Sequence, residues 1–110
     1  VPDYYELVVI SNDRFLTGHR ESARRLVLGL QAALDFTRAK PDEALALYLK
    51  ANPEVRKDLD TRAFTRVRDQ FARSQLQSAA TWERFAQFAK SQGVIQTVPA
   101  TETLFTNLTQ

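Results

Sequence analysis

A chain of 110 residues with 44% apolar side chains lies in the range of one small globular domain and outside disordered composition. Its charge of +2, from 15 basic against 13 acidic residues, is too even to be a nucleic-acid footprint. The absence of cysteine excludes a disulfide framework, a thiol nucleophile and a cysteine-based zinc or iron–sulfur site.

No apolar run approaches the ~20 residues of a spanning helix, and no signal peptide is visible. Methionine is absent as well. Val1 also opens almost directly into an apolar run, so we expect these residues to be the C-terminal part of a longer protein.

The first predicted element is a strand over residues 4–10. Tyr4 and Tyr5 lead into the continuous apolar run Leu7-Val8-Val9-Ile10, which Ser11-Asn12-Asp13 closes with turn chemistry. A run apolar on both faces suits a strand buried on both faces, which needs neighbours on each side. Only a short stretch at Val94 to Val98 offers anything similar, so the sheet partners are expected outside these residues.

After Phe15 and Leu16, a helix is predicted over about 19–39, with Ala23, Leu26, Val27, Leu30, Leu34 and Thr37 on one stripe. Gly29 inside it costs ~1 kcal/mol relative to alanine and suits close approach of another backbone. Pro41-Asp42-Glu43 opens a second helix over 41–51, with proline in the first turn and acids at the positive helix end.

Asn52-Pro53 reads as a cap and N1 proline of a short helical turn. A third helix over about 60–73, capped by Asp58 or Asp60, carries Ala63, Phe64, Val67 and Phe71. Thr81 reads as the N-cap of a last helix over 82–92, with Trp82, Phe85, Ala86 and Ala89 inward and Gly93 as its C′ residue. The tail, residues 97–110, reads as a coil clasping the body through Leu104 and Phe105. The fold class read from the residues is therefore mainly α with one N-terminal strand.

Few residues carry chemistry. His19 is the only histidine, at a predicted helix start among Arg20, Glu21 and Arg24, and has no convergent partners for a metal site or a general base. Gly18, Gly29 and Gly93 are too scattered for a phosphate loop. Arg62, Arg66 and Arg73 can share a helix face, but Asp58 and Asp69 among them would repel phosphate, so no nucleic-acid partner is expected. Trp82, Phe85 and Phe88 read as packing. No metal, cofactor or catalytic residue is assigned, and the chain is not expected to be an enzyme.

Glu6 stands apart. In a strand it shares a face with Tyr4, Val8 and Ile10, and a carboxylate there must be paired, exposed at an edge or used on a ligand. Tyr4 and Tyr5 beside it either pack on the strand's flank or stack on a planar ligand.

The stretch Pro2-Asp3-Tyr4-Tyr5-Glu6-Leu7-Val8, then Asn12-Asp13 and Phe15, and the helix start Lys40-Pro41-Asp42-Glu43-Ala44 resemble the C-terminal part of periplasmic substrate-binding proteins of ABC importers. Trp82-Glu83-Arg84-Phe85 before Gly93-Val94-Ile95, and the ending Leu104-Phe105-Thr106-Asn107, fit the same pattern. The branch resembled handles hydroxymethylpyrimidine and related thiamine precursors, and shares its fold with fungal pyrimidine synthases.

The resemblance implies a two-lobed α/β fold of the type II binding-protein kind, with the opening strand crossing between lobes and Glu6 facing an interlobe cleft. There its carboxyl would meet the amino group and ring nitrogen of an aminopyrimidine, with Tyr4 and Tyr5 as ligand-binding neighbours. It implies an ABC permease and the missing N-terminal part of the same protein as partners, no cofactor, and a periplasmic location. The reactive histidine and cysteine-rich segment of the fungal enzymes have no counterpart here. Two alternatives remain: a binding protein for another small solute such as a sulfonate, and an autonomous helical protein-interaction module.

Overall fold

A computed structural model describes residues 1–109. Four helices follow in chain order: α1 (Asp13–Ala39), α2 (Pro41–Ala51), α3 (Lys57–Val67) and α4 (Ala79–Ser91), with 3₁₀ turns at Arg68–Gln70 and Thr101–Thr103. The chain forms two compact units. One comprises Val1–Arg24 with the stretch from Leu76 onward, and the other Arg25–Gln75.

In the first unit, the predicted strand over residues 4–10 is not formed, and the described residues contain no strand at all. The run Leu7-Val8-Val9-Ile10 is irregular backbone, with a bend at Glu6 and Leu7. The reason is pairing: a strand's N–H and C=O groups need a neighbouring strand. The stretch Val94 to Val98, the one internal candidate, is itself irregular.

Helix α1 begins at Asp13, six residues earlier than the periodicity predicts. Its start is set by Asn12, whose side-chain oxygen accepts the Phe15 backbone N–H at 2.8 Å. The predicted boundary at His19 marks a different event. His19 leaves helical geometry (φ −134°, ψ 35°) and kinks the helix there, with its ring 5.0 Å from that of Phe15.

Helix α4 starts after Ser78, so Thr81 lies within its first turn and is not its cap. Trp82, Phe85, Phe88 and Ala89 are half-buried on one stripe around the buried Ala86. The helix ends in a Schellman motif. Val94 N–H donates to Ala89 C=O at 2.9 Å and Gly93 N–H to Lys90 C=O at 3.0 Å, with Gly93 at φ 72°.

In the second unit, Lys40 alone links α1 to α2, and Pro41 sits in the first turn of α2 with Asp42 and Glu43. Asn52 closes α2, its backbone N–H and its side-chain amide both donating to Tyr48 C=O at 3.0 and 2.9 Å, and its own carbonyl accepts the Val55 N–H at 3.3 Å to form the short turn that follows. Helix α3 starts at Lys57, so Asp58 and Asp60 lie in its first turn and neither caps it. The Asp60 carboxylate instead accepts the Tyr48 hydroxyl at 2.9 Å, tying α2 to α3.

Helix α3 stops at Val67, well short of the predicted residue 73, because the backbone turns extended at Phe71. That turn sets the Phe71 ring 6.2 Å from Phe64. It also aims two carbonyls at α1, where Arg38 donates to Ala72 C=O at 2.6 Å and Gln31 to Arg73 C=O at 3.2 Å.

Little is buried in either unit. Among the described residues only Ala23 and Ala86, 8% and 7% exposed, qualify as core. The chain exposes 8680 Å², whereas two separate globules of half its mass would expose only about 7,400 Å² between them. Leu26, Leu28 and Leu30 on α1, Leu47 on α2 and Leu59 on α3 all remain exposed.

Two glycines are expected to respond oppositely to alanine. A Cβ at Gly29 meets nothing within 4 Å, so no backbone approaches it, and Gly29→Ala should raise stability by about 1 kcal/mol through helix propensity. Gly93→Ala should lower stability by about 1 kcal/mol, because alanine is strained at positive φ. Urea denaturation of the two variants checks both signs.

The Tyr48 phenol is held above its ordinary pKa, first by its hydrogen bond to Asp60 and then by burial and nearby carboxylates. A pKa raised by folding means that the bond's contribution is fully present below the ordinary tyrosine value and is lost as pH rises through the raised one. Alkaline ultraviolet titration should show a late-ionising phenol that Tyr48→Phe removes and Asp60→Asn brings down.

Candidate functional site

The predicted site residues sit in the first unit beside α4. Tyr4 lays its ring on Phe85, with centroids 5.0 Å apart and planes 15° from parallel. Tyr5 tilts against Trp82 at 5.7 Å, and its hydroxyl accepts the Ser78 backbone N–H at 2.6 Å. Trp82 is also stacked with Phe105 at 6.3 Å, while Phe85 continues to Phe88 at 6.4 Å. The six rings thus form two strings of three on α4, Tyr4–Phe85–Phe88 and Tyr5–Trp82–Phe105, the second of which reaches the tail. The 82, 85, 88 spacing on α4 puts three of them along one side of the helix.

The two tyrosines are therefore fixed by packing and, for Tyr5, by a hydrogen bond. Tyr4 keeps nearly half of its surface open, and Tyr5 is half-buried. Glu6 follows them at the bend. It is exposed and makes no hydrogen bond or ion pair with any described residue. Its carboxylate has no partner among the described residues, and can pair with an amino group or protonated ring nitrogen presented from solvent.

A polar brace backs the cluster. The Asn107 carboxamide accepts the Gln77 backbone N–H at 2.8 Å and returns a bond to the Gln77 carbonyl at 2.9 Å. The Gln77 side chain in turn accepts the Trp82 indole N–H at 2.9 Å. Sequence reasoning did not find Gln77, Ser78 or Asn107 as contributors. Asn107 was visible only as the end of the Phe-Thr-Asn stretch, and no periodicity announces a side chain that pairs with a backbone thirty residues away.

Two shallow concavities flank the start of α1, one lined by Asn12, Arg14, Phe15 and His19, the other by Asp13, Leu16, Arg20 and Thr106. Neither includes residues 4–6. His19 touches Phe15, and among the described residues no three metal-ligating side chains converge to hold an ion. Among the described residues, no helix is long and apolar enough to cross a membrane.

In comparison with known families, the model of the family described as NMT1/THI5 like fits residues 1–44. This stretch holds Tyr4, Tyr5, Glu6, the Asn12 cap and α1 through to the first turn of α2. The similarity thus supports a relationship at the family level over that part of the chain. No curated protein and no solved structure matches the chain.

The asymmetry between the two tyrosines is open to measurement. Tyr5→Phe removes the acceptor for Ser78 N–H and should lower stability by about 1 kcal/mol. Tyr4→Phe keeps the stacked ring and, with no bond from its hydroxyl to a described residue, should stay within about 0.5 kcal/mol of wild type. Thermal melts of both variants test the difference.

Proposed function

We propose that these residues belong to a solute-binding protein that captures a small thiamine-related aminopyrimidine and hands it to a membrane permease. The observation that carries this reading is the free Glu6 carboxylate beside two anchored tyrosines, inside the stretch that fits the NMT1/THI5-like family model. An aminopyrimidine presents a donor amino group next to a ring nitrogen. A carboxylate sharing a proton with that nitrogen satisfies both at once, in the bidentate manner that makes charge-assisted pairs strong. The Tyr4 face, open to solvent, would carry the ring.

Binding in this reading is capture by closure of two lobes, without chemistry. The remaining pocket walls would come from the N-terminal part of the same protein, and the location would be extracytoplasmic. A sulfonate ligand fits less well, because an unpaired carboxylate in direct contact repels an anion.

A second reading is favoured by the exposed apolar surface. Leu7 and Ile10 are 92% and 86% exposed, far more than a finished surface tolerates in consecutive apolar residues. An autonomous helical interaction module would offer such surface to a protein partner. Native mass spectrometry separates the two readings: a co-purifying small pyrimidine supports the first, and a stoichiometric polypeptide of another gene supports the second.

The direct test is calorimetric titration of the full protein with hydroxymethylpyrimidine and with taurine. The pyrimidine should bind and taurine should not. Glu6→Gln should weaken the pyrimidine at least about tenfold, the scale of one charge-assisted hydrogen bond. Equal affinity in wild type and Glu6→Gln would remove Glu6 from the site.

A further inference from the structure

The brace behind the aromatic cluster runs in one direction, from the tail to the proposed ligand residues. Asn107 uses both ends of its carboxamide on one residue, accepting from Gln77 N–H and donating to Gln77 C=O. This double bond pair fixes the peptide units on both sides of Gln77, the second of which carries the Ser78 N–H. From there the path divides and meets again at Tyr5. Ser78 N–H donates to the Tyr5 hydroxyl at 2.6 Å, and Gln77 Oε1 holds the indole N–H of Trp82, against which the Tyr5 ring tilts. Tyr5 is thus held at its oxygen by the peptide whose carbonyl Asn107 binds, and at its ring by the indole that the side chain of the same Gln77 holds.

We infer that Asn107 is a positioning residue for Tyr5 and, through the peptide that joins them, for Glu6. It touches neither the proposed ligand nor Glu6, and it acts through Gln77, Ser78 and Trp82. This inference rests on the aminopyrimidine reading for its functional consequence, but the structural link is independent of any ligand. All four bonds lie within one compact unit. Asn107 and Gln77 are half-buried, so the bonds between them compete less with water than surface bonds do.

Trp82 is the only tryptophan, so its indole N–H gives one assigned-by-default signal in a proton–nitrogen correlation spectrum. The experiment compares wild type, Asn107→Ala and Asn107→Asp in the full chain. The aspartate variant keeps the acceptor for Gln77 N–H and loses the donor to Gln77 C=O, which guards against simple unfolding of the alanine variant.

The expected result is a shifted indole signal in both variants and about tenfold weaker binding of hydroxymethylpyrimidine, with helical circular dichroism unchanged. An unmoved indole signal overturns the inference, as does a moved signal with unaltered affinity in a wild type that binds.

If wild type binds no pyrimidine, the functional reading fails on its own, and a double-mutant cycle then decides the link. Coupled losses of thermal stability in Tyr5→Phe and Asn107→Ala, smaller together than summed, sustain it, and additive losses overturn it.

Discussion

With just two small side chains buried among the described residues, Ala23 and Ala86, there is almost no hydrophobic interior to organise them. Every other element of order depends on that constraint. What a core would otherwise do is done by rings laid against one another and by side chains that bond directly to backbone. Tyr4 on Phe85, Tyr5 on Trp82 and Trp82 on Phe105 bring the N-terminal segment, α4 and the tail together in one unit. Arg38 and Gln31 reaching the carbonyls of Ala72 and Arg73 do comparable work in the other. Aromatic pairs and single hydrogen bonds each contribute on the order of 1 kcal/mol, so no one of them can replace a packed interior.

The helices were legible in the sequence because their signals are local. Pro41-Asp42-Glu43 marks the start of α2, the 82, 85, 86, 89 stripe marks the inward side of α4, and Gly93 closes it at positive φ. The misreadings share a cause. Asn52, Asp60 and Thr81 all have cap chemistry, but Asn52 closes the helix before it and the other two lie inside helices that begin earlier. Asn52 finds the carbonyl of Tyr48 and Asp60 finds its hydroxyl. A side chain that can cap can equally bond to whatever lies nearest, and sequence alone does not say which. The strand over residues 4–10 failed for the opposite reason: its composition is strand-like, but strand formation is a property of pairs, and no described segment pairs with it.

Of the candidate site, the sequence showed the residues without their circumstances. Tyr4, Tyr5 and Glu6 stood out as polar and aromatic groups ahead of an apolar run. Their separate fates did not follow from that order: two rings engaged with α4 and a carboxylate left to solvent. The support beneath them was hidden altogether, since Asn107 and Gln77 are distant in the chain and ordinary in type. The similarity to the NMT1/THI5-like family covers the exposed carboxylate and both tyrosines but stops before α4 and the tail. The chemistry proposed for Glu6 and the brace that orders it therefore rest on different kinds of support.

The kink at His19 has a consequence for how the start of α1 breathes. A helical stub from Asp13 to Gly18 is far shorter than a helix that can sustain itself in water. Cut off from the longer run by the non-helical His19, it can open on its own, with the Asn12 cap and the Phe15–His19 ring contact as its principal restraints. Amide protons in that stub would exchange as a separate cooperative unit, at a lower free energy than those beyond the kink. The segment that joins the aromatic cluster to the long helix would then act as a fuse: the first piece of regular structure to melt, and the last to re-form.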